Sequence, residues 1–297
     1  MRKYTKFFIK CSLFLLVLCV MNSWAQANIF PRFDHELSDW PRKFRTTKDE
    51  LKTVSPVKEE GLKDLKASGS GQFSEQGLKT LIKLIPPSHI FLIDLRQESH
   101  GFINGRALSW FDGFQNEANC KKTLAEIEAD EQKRLEGVLK VGKIGIKCEE
   151  NQNVPVQRAQ TEKQIAESLG LTYLRLPVTD HHRPSDKIVD EYVEFIKNLP
   201  SDAWLHLHCR GGKGRTTTFM IMYDMMLNTP KVSFDDILER HKLIGGTDLR
   251  ALHTPDHYRY QPGLDRLNFI KAFYQYCQQV PHFDLSWSDW VAKQDKN

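Results

Sequence analysis

Apolar residues recur along the chain in two alternating rhythms, one near 3.6 residues and one of short unbroken runs. Ser74 opens a stretch that puts Leu78, Leu81, Ile82 and Ile85 on one helical face before Pro86-Pro87 stops it. Ile90 to Leu95 then reads as a short buried strand. Residues 119–136 are rich in Ala, Leu, Glu and Lys and predict a long exposed helix with Gly137 as its stop. Val138, Leu139 and Val141 lead into the alternating strand positions Ile144, Ile146 and Cys148. A further helical stretch ends at residues 166–169, and a strand covers 171–176. Pro184 to Leu199 spaces Ile188, Val189, Tyr192, Val193, Ile196 and Leu199 as one helical face, closed by Pro200. Ala203 to His208 is a compact strand, and residues 216–227 are apolar enough for a buried helix. Residues 67–71 read as a loop, and residues 28–57, rich in charge, proline and aromatics, predict no definite element. No internal repeat is evident, and the alternation argues for an α/β layer with helices on both faces of a sheet.

The N-terminus changes the reading of charge. Arg2, Lys3, Lys6 and Lys10 precede or flank an apolar run from Cys11 to Val20, and Ala25-Gln26-Ala27 has the small-x-small form of a cleavage site. Residues 1–27 are therefore expected to be a signal peptide, with export to the periplasm or the exterior and a mature start near Asn28. The run is too short for a comfortable bilayer span and no second one follows, so no stable membrane anchor is expected. The leader holds four of the 42 basic residues and none of the 38 acidic ones, so the remainder is formally neutral. Attraction for anions must come from local clustering, and nothing argues for nucleic acid.

Of six cysteines, Cys120, Cys148, Cys209 and Cys277 remain after the leader. In an exported chain Cys120 with Cys148 is a candidate bridge, and Cys277 suits a buried thiol. There is no C-x-x-C pair and no regular Cys/His spacing, so neither a zinc site nor a thiol-exchange site is supported.

The stretch that carries chemistry is His208-Cys209-Arg210-Gly211-Gly212-Lys213-Gly214-Arg215-Thr216, between a strand end and a helix start. Gly211, Gly212 and Gly214 let successive backbone N–H groups turn inward, and the helix N-terminus adds positive potential, which together hold an oxyanion. Cys209 at the rim of that bowl is favoured as the thiolate and can attack phosphorus. Arg215 offers a planar fork to two phosphate oxygens, and Thr216 places a hydroxyl near the sulfur. Arg210 and Lys213 exceed what one phosphate needs and suggest further phosphates on the same molecule. Expelling an alkoxide requires a proton donor, and Asp180, which precedes Cys209 in a loop between a strand and a helix, is the candidate.

At these residues the chain resembles the cysteine-dependent phosphatases of the protein tyrosine phosphatase superfamily. The extended run 202–220, with residues 94–101 and Thr179-Asp180-His181, is similar to the bacterial protein-tyrosine-phosphatase-like phytases over roughly residues 44–276. The resemblance implies a phosphatase domain over 28–297, with a phosphatase core sheet flanked by helices. It also implies a small β-rich subdomain drawn from about 28–57 and 100–160. It further implies catalysis without a metal or other cofactor, stepwise dephosphorylation of inositol hexakisphosphate, and a place for His208 among the catalytic residues. His181, Arg45, Arg259 and Arg266 match substrate-contacting positions. One acidic family position falls on Asn116 with Asp112 nearby, a departure from the pattern. The basic loop is also found in inositol-lipid phosphatases, so a protein-tyrosine, dual-specificity or lipid phosphatase is the alternative within enzymes. A catalytically silent phosphate binder is the alternative outside them.

Overall fold

A computed structural model of the protein describes residues 29–34, 40–51, 56–86, 88–111, 118–146, 152–229 and 231–294. The expected signal segment, residues 1–27, and Asp112, Asn116 and Cys148 lie outside these residues, and with Cys148 goes the candidate bridge to Cys120. No described helix is long and apolar enough to cross a membrane.

Five strands form the central sheet in the order β10 (Thr172–Val178), β4 (His89–Arg96), β11 (Ala203–Cys209), β3 (Ala67–Gly71) and β2 (Arg45–Thr46). The first four are parallel and β2 closes the edge antiparallel. Alternation sorts the core between the two faces. Ile93, Leu95, Leu205 and Leu207 meet Val189 and Tyr192 of α4 (Asp186–Lys197), Phe219 of α5 (Gly214–Asn228), and Phe273 and Tyr276 of α7 (Tyr260–Gln279). Leu92 and Trp204 meet Leu78 and Leu81 of α1 (Glu75–Leu84) and Ile165 of α3 (Glu162–Ser168) on the other face. Truncating such a fully buried leucine to alanine costs about 2–5 kcal/mol. Helices α6 (Phe234–Leu243) and α8 (Trp287–Gln294) complete the α4/α5 side.

Ala67–Gly71 is a strand, where its Ala, Ser and Gly composition suggests a loop. It pairs in register with β11 from Leu205↔Ala67 to Cys209↔Gly71, and all five residues are buried. Its side chains are small because α5 packs directly on it. A Cβ on Gly69 would stand 2.6 Å from Met220 Sδ and 2.7 Å from Thr216 Cγ2.

A second, antiparallel sheet runs β1 (Phe30–Phe33), β6 (Arg106–Phe111), β5 (His100–Ile103), β9 (Ala159–Gln160). It shares a small core, including Ile103, Leu108, Trp110, Leu135 and Ile144, with α2 (Leu124–Val141) and the hairpin β7 (Lys143–Ile146) and β8 (Gln152–Pro155). Helix α2 starts on a capping box at Thr123 and Glu126 and runs through Gly137, the stop expected from the sequence. One exposed glycine costs a helix only about 1 kcal/mol. The stop is Gly142, which takes the left-handed conformation (φ 73°), so Val138, Leu139 and Val141 are helical and not strand.

Candidate active site

The parallel strands deliver their C-terminal ends, with Gly71, Arg96, Val178 and Cys209, to one rim of the sheet, the usual place for a site in such folds. Cys209 ends β11, and the chain turns through residues 210–213 directly into α5. Gly212 has φ 65°, and a Cβ there would lie 2.3 Å from Gly71 N, so only glycine fits. The loop is held from behind: Gln72 N donates to Arg210 O (3.1 Å), and Arg45 Nη1 donates to Gly212 O (2.9 Å). No side chain caps α5 and no acidic residue sits in its first turn, so the positive end of the helix is free to face an anion.

Cys209 is buried at the floor of a cavity of about 520 Å³. Thr216 Oγ1 donates to its Sγ at 3.2 Å. Arg215 is buried and clamped by Glu98, with Nη1 to Oε2 at 2.7 Å and Nη2 to Oε1 at 3.1 Å, and Nη1 also donates to Val178 O (3.1 Å). Its Nη2 stands 3.1 Å from Asp180 Oδ1. Burial works against the Arg215 cation, but Asp180, Glu98 and the Cys209 sulfur outweigh it and raise its pKa. Burial likewise opposes the Glu98 anion, and Arg215 and Arg96 overcome that and hold its carboxyl well below the usual range. These reciprocal shifts describe a guanidinium locked in place and in charge state, as a transition-state clamp requires.

His181 follows Asp180 with φ 69°, which turns its carbonyl to accept from Arg266 Nη1 (3.1 Å). Burial lowers its pKa despite Asp180 beside it, and burial lowers that of Arg266 as well. Arg210, Gly211, Lys213, Gly214, Arg259 and Arg266 line the cavity with Asp180, His181, Cys209 and Arg215. Two further arginines, Arg32 and Arg42, also line it. Sequence reasoning misses both, because they belong to the segment without periodicity. The only signal is the alternation of Arg32 and Asp34 with Phe33 between them. Asp34 is itself a hinge of the site: buried, it accepts from Arg210 Nε (2.8 Å), Arg96 Nη1 (2.7 Å) and Ser109 Oγ (2.7 Å). Arg96 Nε in turn donates to Glu98 Oε1 (3.0 Å), which links Asp34 to Arg215 through three ion pairs.

Four expected site residues are absent from the cavity lining: Gly212 and Thr216, which sit within the loop and the first turn of α5, and Arg45 and His208. Arg45 is buried beneath the loop, where besides Gly212 O it binds Thr217 Oγ1 (3.0 Å), so it supports the loop from behind. His208 alternates to the opposite face of β11 from its neighbour and is buried against Phe73, with Nε2 2.5 Å from Glu162 Oε1. It stands with Glu162, Asp94 and His100 in a buried charge cluster that Arg175 closes, its Nε 3.2 Å from Asp94 and its Nη1 2.8 Å from Glu131. Strand alternation alone puts two successive residues on opposite faces, so His208 and Cys209 cannot both face the cavity.

Comparison with known proteins gives a consistent set. Residues 93–227 match the model of the PTP-like phytase family, described by the words inositol hexakisphosphate. A PTP-like phytase from Bdellovibrio bacteriovorus superposes with a TM-score of 0.74 and 33% identity, over 89% of this chain and 95% of that one. The PTP-like myo-inositol phosphatase from Mitsuokella multacida, in complex with myo-inositol-(1,3,4,5)-tetrakisphosphate, gives 0.84 and 34%, over 91% of this chain and 48% of that one. Effector protein hopD2 of Pseudomonas syringae pv. tomato is 31% identical over 277 residues, 84% of this chain and 56% of that protein. The chain thus spans about half the length of the last two.

Proposed function

Because this chain belongs to the PTP-like phytase family, we propose that it hydrolyses phosphomonoesters of inositol polyphosphates, inositol hexakisphosphate included, through a cysteinyl-phosphate on Cys209. The observation that carries this reading is a cysteine sulfur at the mouth of a helix N-terminus. Thr216 Oγ1 lies 3.2 Å from that sulfur, Arg215 Nη2 lies 3.1 Å from Asp180 Oδ1, and further cations line the same cavity.

In the first step the Cys209 thiolate attacks phosphorus and an S–P bond forms as the ester P–O bond breaks. The departing alkoxide takes its proton from Asp180. Arg215 and the loop N–H groups hold the equatorial oxygens while charge moves from the ester oxygen toward the phosphoryl group. In the second step Asp180 takes a proton from water as that water attacks phosphorus, and the S–P bond breaks. The electron pair returns to sulfur, where the Thr216 hydroxyl donates to it. Every group used belongs to the chain, so turnover is expected to persist with a metal chelator.

Substrate choice follows from the walls. Cations from Arg32, Arg42, Arg210 and Lys213, with Arg259 and Arg266, suit a ring carrying several phosphates better than a single phosphorylated aromatic side chain. The test is phosphate release from inositol hexakisphosphate and from a phosphotyrosine peptide, with chelator present and Cys209→Ser as control. Preference for the inositol substrate is the expected result; preference for the peptide, or release by Cys209→Ser, overturns the reading. The basic, apolar and small-residue order of residues 1–27 supports export of the chain.

A further inference from the structure

We propose that Arg32, laid against Phe111 on the small sheet, forms a second phosphate subsite beside the Cys209 loop, so that the small sheet selects substrates carrying a phosphate next to the one being removed. This deepens the inositol polyphosphate reading and rests on it.

Four observations converge on Arg32. Its guanidinium carbon lies 3.4 Å from the centroid of the Phe111 ring, and Phe111 is braced edge-on by Phe30 (5.5 Å, 89°), its register partner across β1 and β6. The fork is therefore fixed in orientation by stacking, which lowers the entropy lost on gripping an anion. Its buried Nε has no hydrogen-bond partner among the described residues. The carboxylate two residues along the chain, Asp34, is already taken by Arg96, Arg210 and Ser109. Burial, with Arg210 pressing on it next, lowers the Arg32 pKa to about 10, as befits a cation short of counter-charge.

A half-buried guanidinium that lines the cavity, faces another guanidinium and keeps a donor unused is costly to maintain unless an anion completes it. A phosphate beside the scissile one supplies two oxygens to the fork and the missing negative charge. Arg42 lines the same cavity, and its backbone is fixed because Gly71 N donates to Arg42 O (2.7 Å). A single phosphoryl group bound over Cys209 is gripped by Arg215 and the loop without calling on either residue.

The experiment compares the wild type with Arg32→Met, which keeps an unbranched chain over the Phe111 ring and removes the charge, and with Arg32→Lys, which keeps the charge. The quantity read is kcat/KM for inositol hexakisphosphate divided by kcat/KM for p-nitrophenyl phosphate. Arg32→Met is expected to lower this ratio by about 10-fold or more, mostly through KM of the inositol substrate, and Arg32→Lys to restore part of it. A structural role alone would lower both activities together, and an unchanged ratio overturns the proposal. A parallel titration of Cys209→Ser, with and without Arg32→Met, uses inorganic pyrophosphate and inorganic phosphate as probes. The subsite predicts a larger loss for the two-phosphate probe; equal losses count against it. If the wild type ignores inositol hexakisphosphate, the inositol reading fails, while the pyrophosphate comparison still decides the subsite.

Discussion

Asp180 Oδ1 lies 3.1 Å from Arg215 Nη2, so the proposed proton donor and the proposed phosphate clamp form one electrostatic unit. A phosphate entering the loop would share Arg215 with Asp180.

Replacing that donor should therefore depend on the leaving group. Asp180→Asn is expected to lower kcat on inositol hexakisphosphate by about 10²–10⁴-fold, the usual worth of a placed general acid. The loss on p-nitrophenyl phosphate, whose leaving group barely needs a proton, should be far smaller. Steady-state kinetics on both substrates decide it. Equal losses would mean that Asp180 acts by positioning Arg215 and not by proton delivery.

The loop's tolerance is set by single backbone positions. At Gly212 a Cβ would meet Gly71 N at 2.3 Å in a left-handed conformation, while at Gly211 a Cβ meets nothing within 4 Å. Gly212→Ala should lower kcat/KM more than about 100-fold, with strain of about 1–3 kcal/mol plus displacement of the cradle. Gly211→Ala should cost at least about ten times less in rate. Circular dichroism run alongside separates a displaced loop from an unfolded chain, and comparable losses in the two variants would contradict the geometry.

Acid should weaken the fold through Asp34. Burial pushes its carboxyl up, but Arg96 and Arg210 outweigh burial and lower it to about 2 from an ordinary 3.8. A depressed carboxyl contributes stability that is fully present above its unfolded value and fades as pH falls through the folded one. The window is thus about pH 4 down to about pH 2, and the amount is about 2 kcal/mol. Denaturant unfolding of the wild type and Asp34→Asn at pH 6 and at pH 2 should show the gap between them shrink by that amount. A constant gap would mean that the carboxylate is not held ionised by its arginines.

Where the information is contiguous, the chain can be read directly. The strand, glycine loop and helix around Cys209 follow one another without interruption, and the faces of α1 and α4 repeat at helical spacing, so local pattern suffices. It fails where position is decided from afar. The strand Ala67–Gly71 is small-residued because Thr216 and Met220 of α5 occupy the space its side chains would fill, a contact between segments far apart in the chain. Arg45 stands out in the sequence with reason, but its guanidinium points under the loop toward Gly212 O, and a single arginine in a sequence carries no direction. Arg32 is invisible for a related cause: β1 acquires its place only by pairing with β6, on the far side of α1, β4 and the rest of the intervening chain.

Asp34 touches the loop through Arg210 and the clamp through Arg96 and Glu98, yet it stands just past β1 of the small sheet. The catalytic half therefore cannot be lifted out as a self-sufficient cassette. A fragment beginning beyond Asp34 would keep Cys209, the loop glycines, Arg96, Arg210 and Arg215, and would lose the anion that keeps Arg96 and Arg210 from repelling each other. The smaller sheet is then no ornament added to a finished enzyme, and any transplant of this chemistry to another scaffold has to carry both pieces together.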